Sequence, residues 1–398
     1  MKHKTYIFNP DNDLALAFGG ENYTAPPMAT CLRYDLQMLP AWYCDENSSI
    51  LANAPENQQW LDNLSKNLHL KSEIIKTSQL STIDTDFMAW GWSHDMRKRL
   101  IDCNVPQDRL PSKNYIDKIR NLSHRSTSII IHNALREELS MNFSPIPIEL
   151  HDFDSIKSFA KEHQYCYIKA PWSSSGKGIF RVLDINAIDF KRWTNGILLR
   201  QGSLLCEEAL DKVLDFAMEF YCKNGIATFS GYSIFNNDNH CSFDNGLVMP
   251  TMMLHNNLIA IYGNENIILD VRNTLEKILT TIIAPHYTGY LGIDMLFYRD
   301  AKKIKLNPCV ELNLRMTMGM VTSIIGDKLL APQSQGKFAI RYYKTTQEIV
   351  NTITQKAIES PIKYSNGKII SGTQFLTPTY QASHYAASLE IQRFTFNH

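Results

Sequence analysis

A lysine at the end of a predicted strand is followed by a loop of small and hydroxyl residues. Residues 167–178 read YIKAPWSSSGKG, with Lys169 closing the strand and a second strand, 179–183, returning after the loop. Small residues let backbone N–H groups approach phosphate oxygens, hydroxyl groups add donors, and the lysine supplies positive charge. The segment therefore suits a polyphosphate, with a solvated hairpin as the alternative. It is not a Walker A motif, which needs G-x-x-x-x-G-K-[ST] at the start of a helix.

Two further strands carry oxygen ligands and an arginine. They contain GIDM at 292–295 and VELNLR at 310–315. Because side chains alternate along a strand, Glu311, Asn313 and Arg315 share one face. Carboxylate and amide oxygens, with Asp294 on the neighbouring strand, are the ligands that Mg²⁺ takes beside substrate phosphates. The arginine could hold a phosphoryl oxygen. The alternative is an edge-strand ion pair between Glu311 and Arg315.

A third pattern lies between these two. The apolar run LLCEEAL at 204–210 ends in two acids, and DFAMEF follows at 215–220. Such a linker can offer backbone groups and a carboxylate to an adenine edge, and an acid farther on can accept from ribose hydroxyls. The alternative is that these acids face water.

Taken in chain order, the three patterns resemble the ATP-grasp superfamily of the carboxylate–amine ligase type. In that family two α+β subdomains clamp ATP between them. The resemblance covers residues 113–330 and is most specific in its last motif. It implies ATP and Mg²⁺ (or Mn²⁺) as cofactors.

The resemblance also implies a role for each motif residue. Lys169 would contact the ATP phosphates, the 173–178 loop would close over them, and Arg315 would assist the transferring phosphoryl group. The metal ligands would be Asp294, Glu311 and Asn313. The nucleotide-binding set, including the adenine, hinge and ribose contacts, would be Arg125, Lys169, Ser173, Ser174, Ser175, Gly176, Gly178, Glu207, Glu208, Ala209, Leu210 and Asp215.

The sequence departs from the family pattern in two places. The family has a further basic residue before the Gly-rich loop, and here Lys113, Lys118, Arg120 and Arg125 all qualify; we favour Arg125, then Lys118. The second departure is the separation of 17 residues between Asp294 and Glu311. It requires a longer hairpin, which we expect to turn through 299–302.

The elements that position these motifs fall into four predicted domains. Alternating strands and helices in 1–112 predict a doubly wound parallel sheet. An ATP-grasp fold of two α+β subdomains follows at 113–202 and 203–330, and 331–398 is a C-terminal extension. In the first domain, Asn12 and Asp13 suit helix caps, and we weigh capping and substrate contact equally for residues 9–13. Residues 90–92 (WGW) suit the core or a cleft wall.

Composition excludes several classes of function. The chain of 398 residues carries 40 basic and 40 acidic side chains, so no basic field attracts nucleic acid. Its eight cysteines form no C-x-x-C pair, and its twelve histidines show no zinc spacing. Without an apolar run of membrane-spanning length or a signal-peptide core, we expect a cytoplasmic protein with no membrane partner.

These observations predict an ATP-dependent ligase. ATP and Mg²⁺ would convert a carboxylate into an acyl phosphate, and an amine would displace the phosphate. The substrates would be a small-molecule or peptide carboxylate and an amine. The sequence leaves open whether the protein forms a homodimer. The alternatives are an ATP-grasp kinase and a non-catalytic nucleotide-binding regulatory or scaffold protein.

Overall fold

The computed structural model describes residues 3–173, 176, 178–238 and 241–394. Its N-terminal part is a parallel sheet of four strands in the order β3-β2-β1-β4. The direction of winding reverses between β1 and β4, which confirms the predicted doubly wound sheet. The elements are β1 (Lys4–Ile7), α1 (Asn12–Phe18), α2 (Pro27–Asp35), β2 (Ser49–Leu51), α3 (Glu56–Leu68), β3 (Glu73–Ile75), β4 (Asp86–Ala89) and α4 (His94–Asp102).

Two helices and a small antiparallel sheet follow. The sheet has the order β5-β8-β6-β7, so the 204–208 strand pairs with the strand that ends at Lys169. The predicted boundary at 202–203 therefore falls just before a strand of this small sheet. The elements are α5 (Lys113–Leu122), α6 (Thr127–Leu139), β5 (Ile148–Leu150), α7 (Phe153–Glu162), β6 (Cys166–Lys169), β7 (Ile179–Val182), α8 (Ile188–Gln201) and β8 (Leu204–Glu208).

The rest of the chain forms one large antiparallel sheet with helices on it. Its first elements are β9 (Asp211–Lys223), β10 (Ile226–Asn237), β11 (Phe243–Val248), α9 (Thr251–Tyr262), α10 (Glu265–Ile282), β12 (Gly289–Asp300), β13 (Lys303–Asn313) and α11 (Met318–Lys328). The C-terminal elements are β14 (Ser334–Tyr342), α12 (Thr346–Glu359), β15 (Lys363–Ser365), β16 (Lys368–Phe375) and β17 (Tyr385–Arg393). The nine strands lie in the order β13-β12-β9-β10-β11-β14-β17-β16-β15, so the extension continues the sheet. Residues Asn366 and Gly367, both with positive φ angles, form the turn between β15 and β16.

A shared core joins the N-terminal domain to the C-terminal extension. Phe8 and Trp90 pack with Met316 and Phe338 in one cluster of buried side chains. The Trp42 indole crosses between the two regions and donates to the Leu376 carbonyl at 2.6 Å. This core fixes the first domain against the end of β13. In the described part of the chain, no helix has the length and apolar composition needed to cross a membrane.

The buried His132 predicts a specific acid sensitivity. It is fully buried on α6, and neither ring nitrogen has a hydrogen-bond partner among the described residues. Burial lowers the pKa of His132 to about 4, and Arg136 adds to that shift. The unfolded chain, with an ordinary pKa of 6.5, binds the proton first, so stability falls as the pH drops from 6.5 toward 4.

We expect His132 to cost on the order of 2 kcal/mol of unfolding free energy between pH 7 and pH 4.5. Urea unfolding at both pH values should show this loss in the wild type and a smaller one in His132→Gln. The exposed His286 is the control, and His286→Gln should keep the wild-type difference. An equal loss in wild type and His132→Gln would contradict the assignment.

Candidate active site

The β12–β13 hairpin brings three predicted metal ligands to one face. Asp294 lies directly opposite Glu311, and Gly292 lies opposite Asn313. The Asn313 amide nitrogen donates to Asp294 Oδ2 at 3.0 Å. The hairpin turns at residues 301–302, within the predicted segment, and Ala301 has a φ of 54° there.

Arg125 connects this face to the Gly/Ser-rich loop. It is 5% exposed, and its Nη2 lies 2.7 Å from Glu311 Oε1. The same guanidinium donates to the Ala170 carbonyl at 2.6 Å and to Ser173 Oγ at 3.3 Å. The Arg125 backbone N–H also donates to the Pro171 carbonyl at 3.0 Å. The break between α5 and α6 therefore places Arg125 between the loop and the carboxylates.

The other basic candidates lie elsewhere. Lys113 pairs with Glu21 at 2.7 Å, and Lys118 is exposed. The Arg120 guanidinium lies 4.0 Å from the centroid of the Trp172 ring and donates to the Leu16 carbonyl. Arg125 is thus the one of the four that contacts the β12–β13 face in the described structure.

Lys169 and Glu207 form a buried ion pair beside Arg125. Lys169 ends β6, Glu207 lies on the adjacent β8, and their charged atoms are in direct contact. The loop after Lys169 is tight, because a Cβ on Gly178 would lie 2.1 Å from the Ser173 Cβ. Gly176 has a φ of 71° in the same turn.

The remaining predicted nucleotide contacts are more dispersed. Ser174 and Ser175 lie outside the described residues. Glu208 lies 3.4 Å from His163 Nδ1, away from Lys169. Asp215 accepts from Lys212 Nζ at 2.7 Å and from Asn237 Nδ2 at 3.1 Å. Ala209 and Leu210 follow β8 directly, and the Ala209 N–H donates to the Tyr165 carbonyl at 2.9 Å.

The two facing carboxylates differ in their electrostatic surroundings. Burial and the neighbouring Glu311 raise the pKa of Asp294 well above its ordinary value. Burial alone would also raise the pKa of Glu311, but Arg125 and Lys169 outweigh it, so that pKa is lowered. Arg125 and Lys169 therefore favour the charged form of Glu311, whereas burial and Glu311 disfavour the charged form of Asp294.

This donor set fits a divalent cation. Two carboxylates directly opposite each other repel, and a cation between them removes that repulsion. Asp294 and Glu311 are the residues that would hold it, whereas the oxygen of the predicted ligand Asn313 accepts from Arg315 Nη2 at 2.8 Å and its nitrogen faces Asp294. Among the described residues, no group of three or more His, Cys, Asp or Glu side chains is placed to bind a metal.

Arg315 makes a contact that the sequence patterns did not predict. Its Nε lies 2.9 Å and 2.8 Å from the two carboxylate oxygens of Asp13, and its Nη2 lies 2.7 Å from Oδ2. The capping prediction for Asn12 and Asp13 was wrong, since Asp11 precedes α1 and makes no side-chain cap bond. The Asp13 carboxylate instead crosses to β13.

Glu219 is a buried acid that the sequence patterns did not assign. It lies on β9 opposite Gly292, and it accepts from Ser233 Oγ and Thr317 Oγ1, each at 2.9 Å. Burial raises its pKa to about 7, although both hydrogen bonds act in the opposite direction. A Cβ on Gly319 would lie 2.3 Å from Glu219 Oε1, so the carboxyl anchors the start of α11. In the sequence, the signal for this buried acid was its position inside the mostly apolar run DFAMEF.

The chain was compared with known proteins. No family model matches it, and no curated protein matches it. The biotin carboxylase domain of Hydrogenobacter thermophilus 2-oxoglutarate carboxylase, solved with MgADP, ADP and bicarbonate, is similar at a TM-score of 0.53 and 11% identity, over 99% of this chain and 86% of that chain. Staphylococcus aureus N5-carboxyaminoimidazole synthetase with ADP gives a TM-score of 0.49 and 11% identity, over 99% and 94%.

A Bacillus licheniformis L-amino acid ligase covers 100% of this chain and 95% of its own, at a TM-score of 0.45 and 11% identity. At these identities the similarity concerns the fold. The parallel sheet, the small antiparallel sheet and the large antiparallel sheet follow one another along this chain. The chain has the ATP-grasp fold, preceded by a doubly wound domain.

Proposed function

We propose that this protein is an ATP-dependent carboxylate–amine ligase. The observation that carries the proposal is the convergence of Arg125 and Arg315 on the Asp294–Glu311 face, with Lys169 near enough to lower the pKa of Glu311. Phosphoryl transfer needs positioned charge more than covalent chemistry from the protein. This arrangement places positive charge beside the two carboxylates.

The proposed reaction has two steps. A substrate carboxylate oxygen attacks the γ-phosphorus of ATP, which forms an acyl phosphate and releases ADP. An amine then attacks the acyl carbon, loses a proton and expels inorganic phosphate, which leaves an amide. Lys169 and Arg125 would neutralise phosphate oxygens, and Arg315 would contact the transferring group. Mg²⁺, when bound, supplies charge neutralisation at the phosphates.

The solved biotin carboxylase domain contains MgADP, which supports ATP and Mg²⁺ as cofactors of this protein. That domain is a dimer, and a homodimer is consistent with the proposal. The substrate pair is not identified by this similarity. The cytoplasmic location, the boundaries between the four domains and the absence of a nucleic-acid partner remain predictions.

The test is ATP turnover with pools of carboxylates and amines. We expect ADP and inorganic phosphate to form together, and only when both pools are present, with an amide product detectable by mass spectrometry. A stable phosphorylated product that forms without amine would instead identify a kinase. Tight ATP binding without turnover on any pool would identify a nucleotide-binding scaffold.

A further inference from the structure

The Asp13–Arg315 ion pair joins the N-terminal domain to the β12–β13 face. Asp13 lies in the first turn of α1, which follows β1 at the point where the winding of the first sheet reverses, and Arg315 follows β13. The same junction holds a backbone bond of 2.8 Å from the Met316 N–H to the Trp90 carbonyl after β4. Asp13 therefore contacts the candidate site from another domain.

Arg315 has little hydrogen-bonding capacity left. A guanidinium carries five N–H donors. Asp13 takes Nε–H and one Nη2–H, Asn313 Oδ1 accepts from Nη2 at 2.8 Å, and the Met316 carbonyl accepts from Nη1 at 3.2 Å. One N–H on Nη1 is left for a substrate. Asp13 and Asn313 together thus fix the plane of the guanidinium.

The contact continues to a carboxylate of the proposed cation site. Arg315 donates to the oxygen of the Asn313 amide, so the amide nitrogen is turned toward Asp294 and donates to it at 3.0 Å. The chain of bonds runs from Asp13 through Arg315 and Asn313 to Asp294. Each member fixes the orientation of the next.

Charge balance gives Asp13 a second effect. Arg315 lies near Glu311 and Asp294 as well as Asp13, and although burial lowers its pKa, these carboxylates raise it above the ordinary value. Because Asp13 satisfies the Arg315 charge, that arginine neutralises the β12–β13 carboxylates less. The Asp13 charge therefore favours a cation at Asp294 and Glu311.

We infer that Asp13 is a positioning residue that, through Arg315 and Asn313, sets the Asp294 carboxylate for cation binding at the candidate site. The inference rests on the proposed function, since it concerns the cation that would accompany ATP. Partners that orient metal ligands typically change metal affinity by about 10- to 100-fold when they are removed. We expect a weakening of that order for Asp13→Asn.

The test is a titration with Mn²⁺ in the presence of ADP, in which electron paramagnetic resonance measures free Mn²⁺. The control is Asp11→Asn, just before α1, whose carboxylate contacts Arg33 at 3.4 Å and should leave Mn²⁺ affinity unchanged. Asp13→Glu keeps the charge and should recover part of the affinity. Arg315→Lys changes the other member of the ion pair and should bind Mn²⁺ about as weakly as Asp13→Asn. It therefore tests the inference even if Asp13→Asn folds poorly.

Arg315→Met and the double variant Asp13→Asn/Arg315→Met separate direct and indirect effects. Because Asp13 acts through Arg315, the double variant should bind Mn²⁺ as Arg315→Met does. Wild-type affinity in folded Asp13→Asn, or an additive loss in the double variant, would overturn the inference while leaving the proposed function intact. A wild-type protein that binds no Mn²⁺ with ADP would overturn both.

Discussion

Glu311→Gln should lower the rate of ADP formation by about 100- to 1,000-fold, the range seen when one preorganised electrostatic group is removed from an active site. Glu311 is one of two facing carboxylates on the β12–β13 hairpin, and Arg125 and Lys169 keep it charged. Glutamine has the same shape and still offers an oxygen to Arg125. It removes the charge that a cation would need, so the expected loss concerns turnover and metal binding more than folding.

The measurement is the initial rate of ADP release with saturating ATP, alongside urea unfolding of both proteins. The matched control is Glu390→Gln, which neutralises an exposed glutamate that pairs with Lys356 at 2.8 Å. An exposed pair contributes about 0.2 to 1 kcal/mol, so this variant should keep the wild-type rate and nearly all of its stability. A folded Glu311→Gln protein that turns over ATP at the wild-type rate would exclude the proposed role.

The strands of the candidate site were predictable because their patterns are local. The alternation of Glu311 and Asn313 with the apolar Leu312 predicts a half-buried strand. The direct pairing of Asp294 with Glu311 depends in addition on a register shift between Asp294 and Leu296, which alternation does not predict. The break between α5 and α6 was harder to predict, since the apolar spacing over 115–139 is compatible with one helix or with two. Its position matters because Arg125 lies in it.

Contacts between distant residues could not be predicted in the same way. Asp13 and Arg315 are 302 residues apart, and no local pattern distinguishes a carboxylate that caps a helix from one that reaches another domain. Glu219 is similar, because its role depends on Ser233 from the next strand and Thr317 at the start of α11. Such roles depend on tertiary packing.

Two helices have local sequences that do not identify them as helical. Helix α8 contains Asn195-Gly196, a pair typical of turns, but Phe190 and Ile197 are buried and their packing outweighs it. Helix α9 follows Pro250 with a mostly apolar sequence that His255, Asn256 and Asn257 interrupt, and its spacing does not separate a buried helix from a strand.

Lys169→Met should affect stability and nucleotide binding separately. Lys169 is 6% exposed and contacts Glu207 directly, so its removal leaves a nearly buried carboxylate without a partner. Breaking a buried pair from one side costs about 3 to 5 kcal/mol. We expect the lower end, since the Glu207 side chain is 17% exposed. The lost cation should also weaken MgADP binding by at least about tenfold, the factor that corresponds to 1.4 kcal/mol.

The double variant Lys169→Met/Glu207→Gln distinguishes the two effects. It removes both charges, so urea unfolding should show that most of the lost stability returns. Calorimetry with MgADP should still show weak binding, because the phosphates have lost their cation. Lys305→Met is the control for loss of a lysine, since its pair with Asp300 is exposed and should contribute less than about 1 kcal/mol. A double variant that regains both stability and nucleotide affinity would mean that Lys169 only neutralises Glu207.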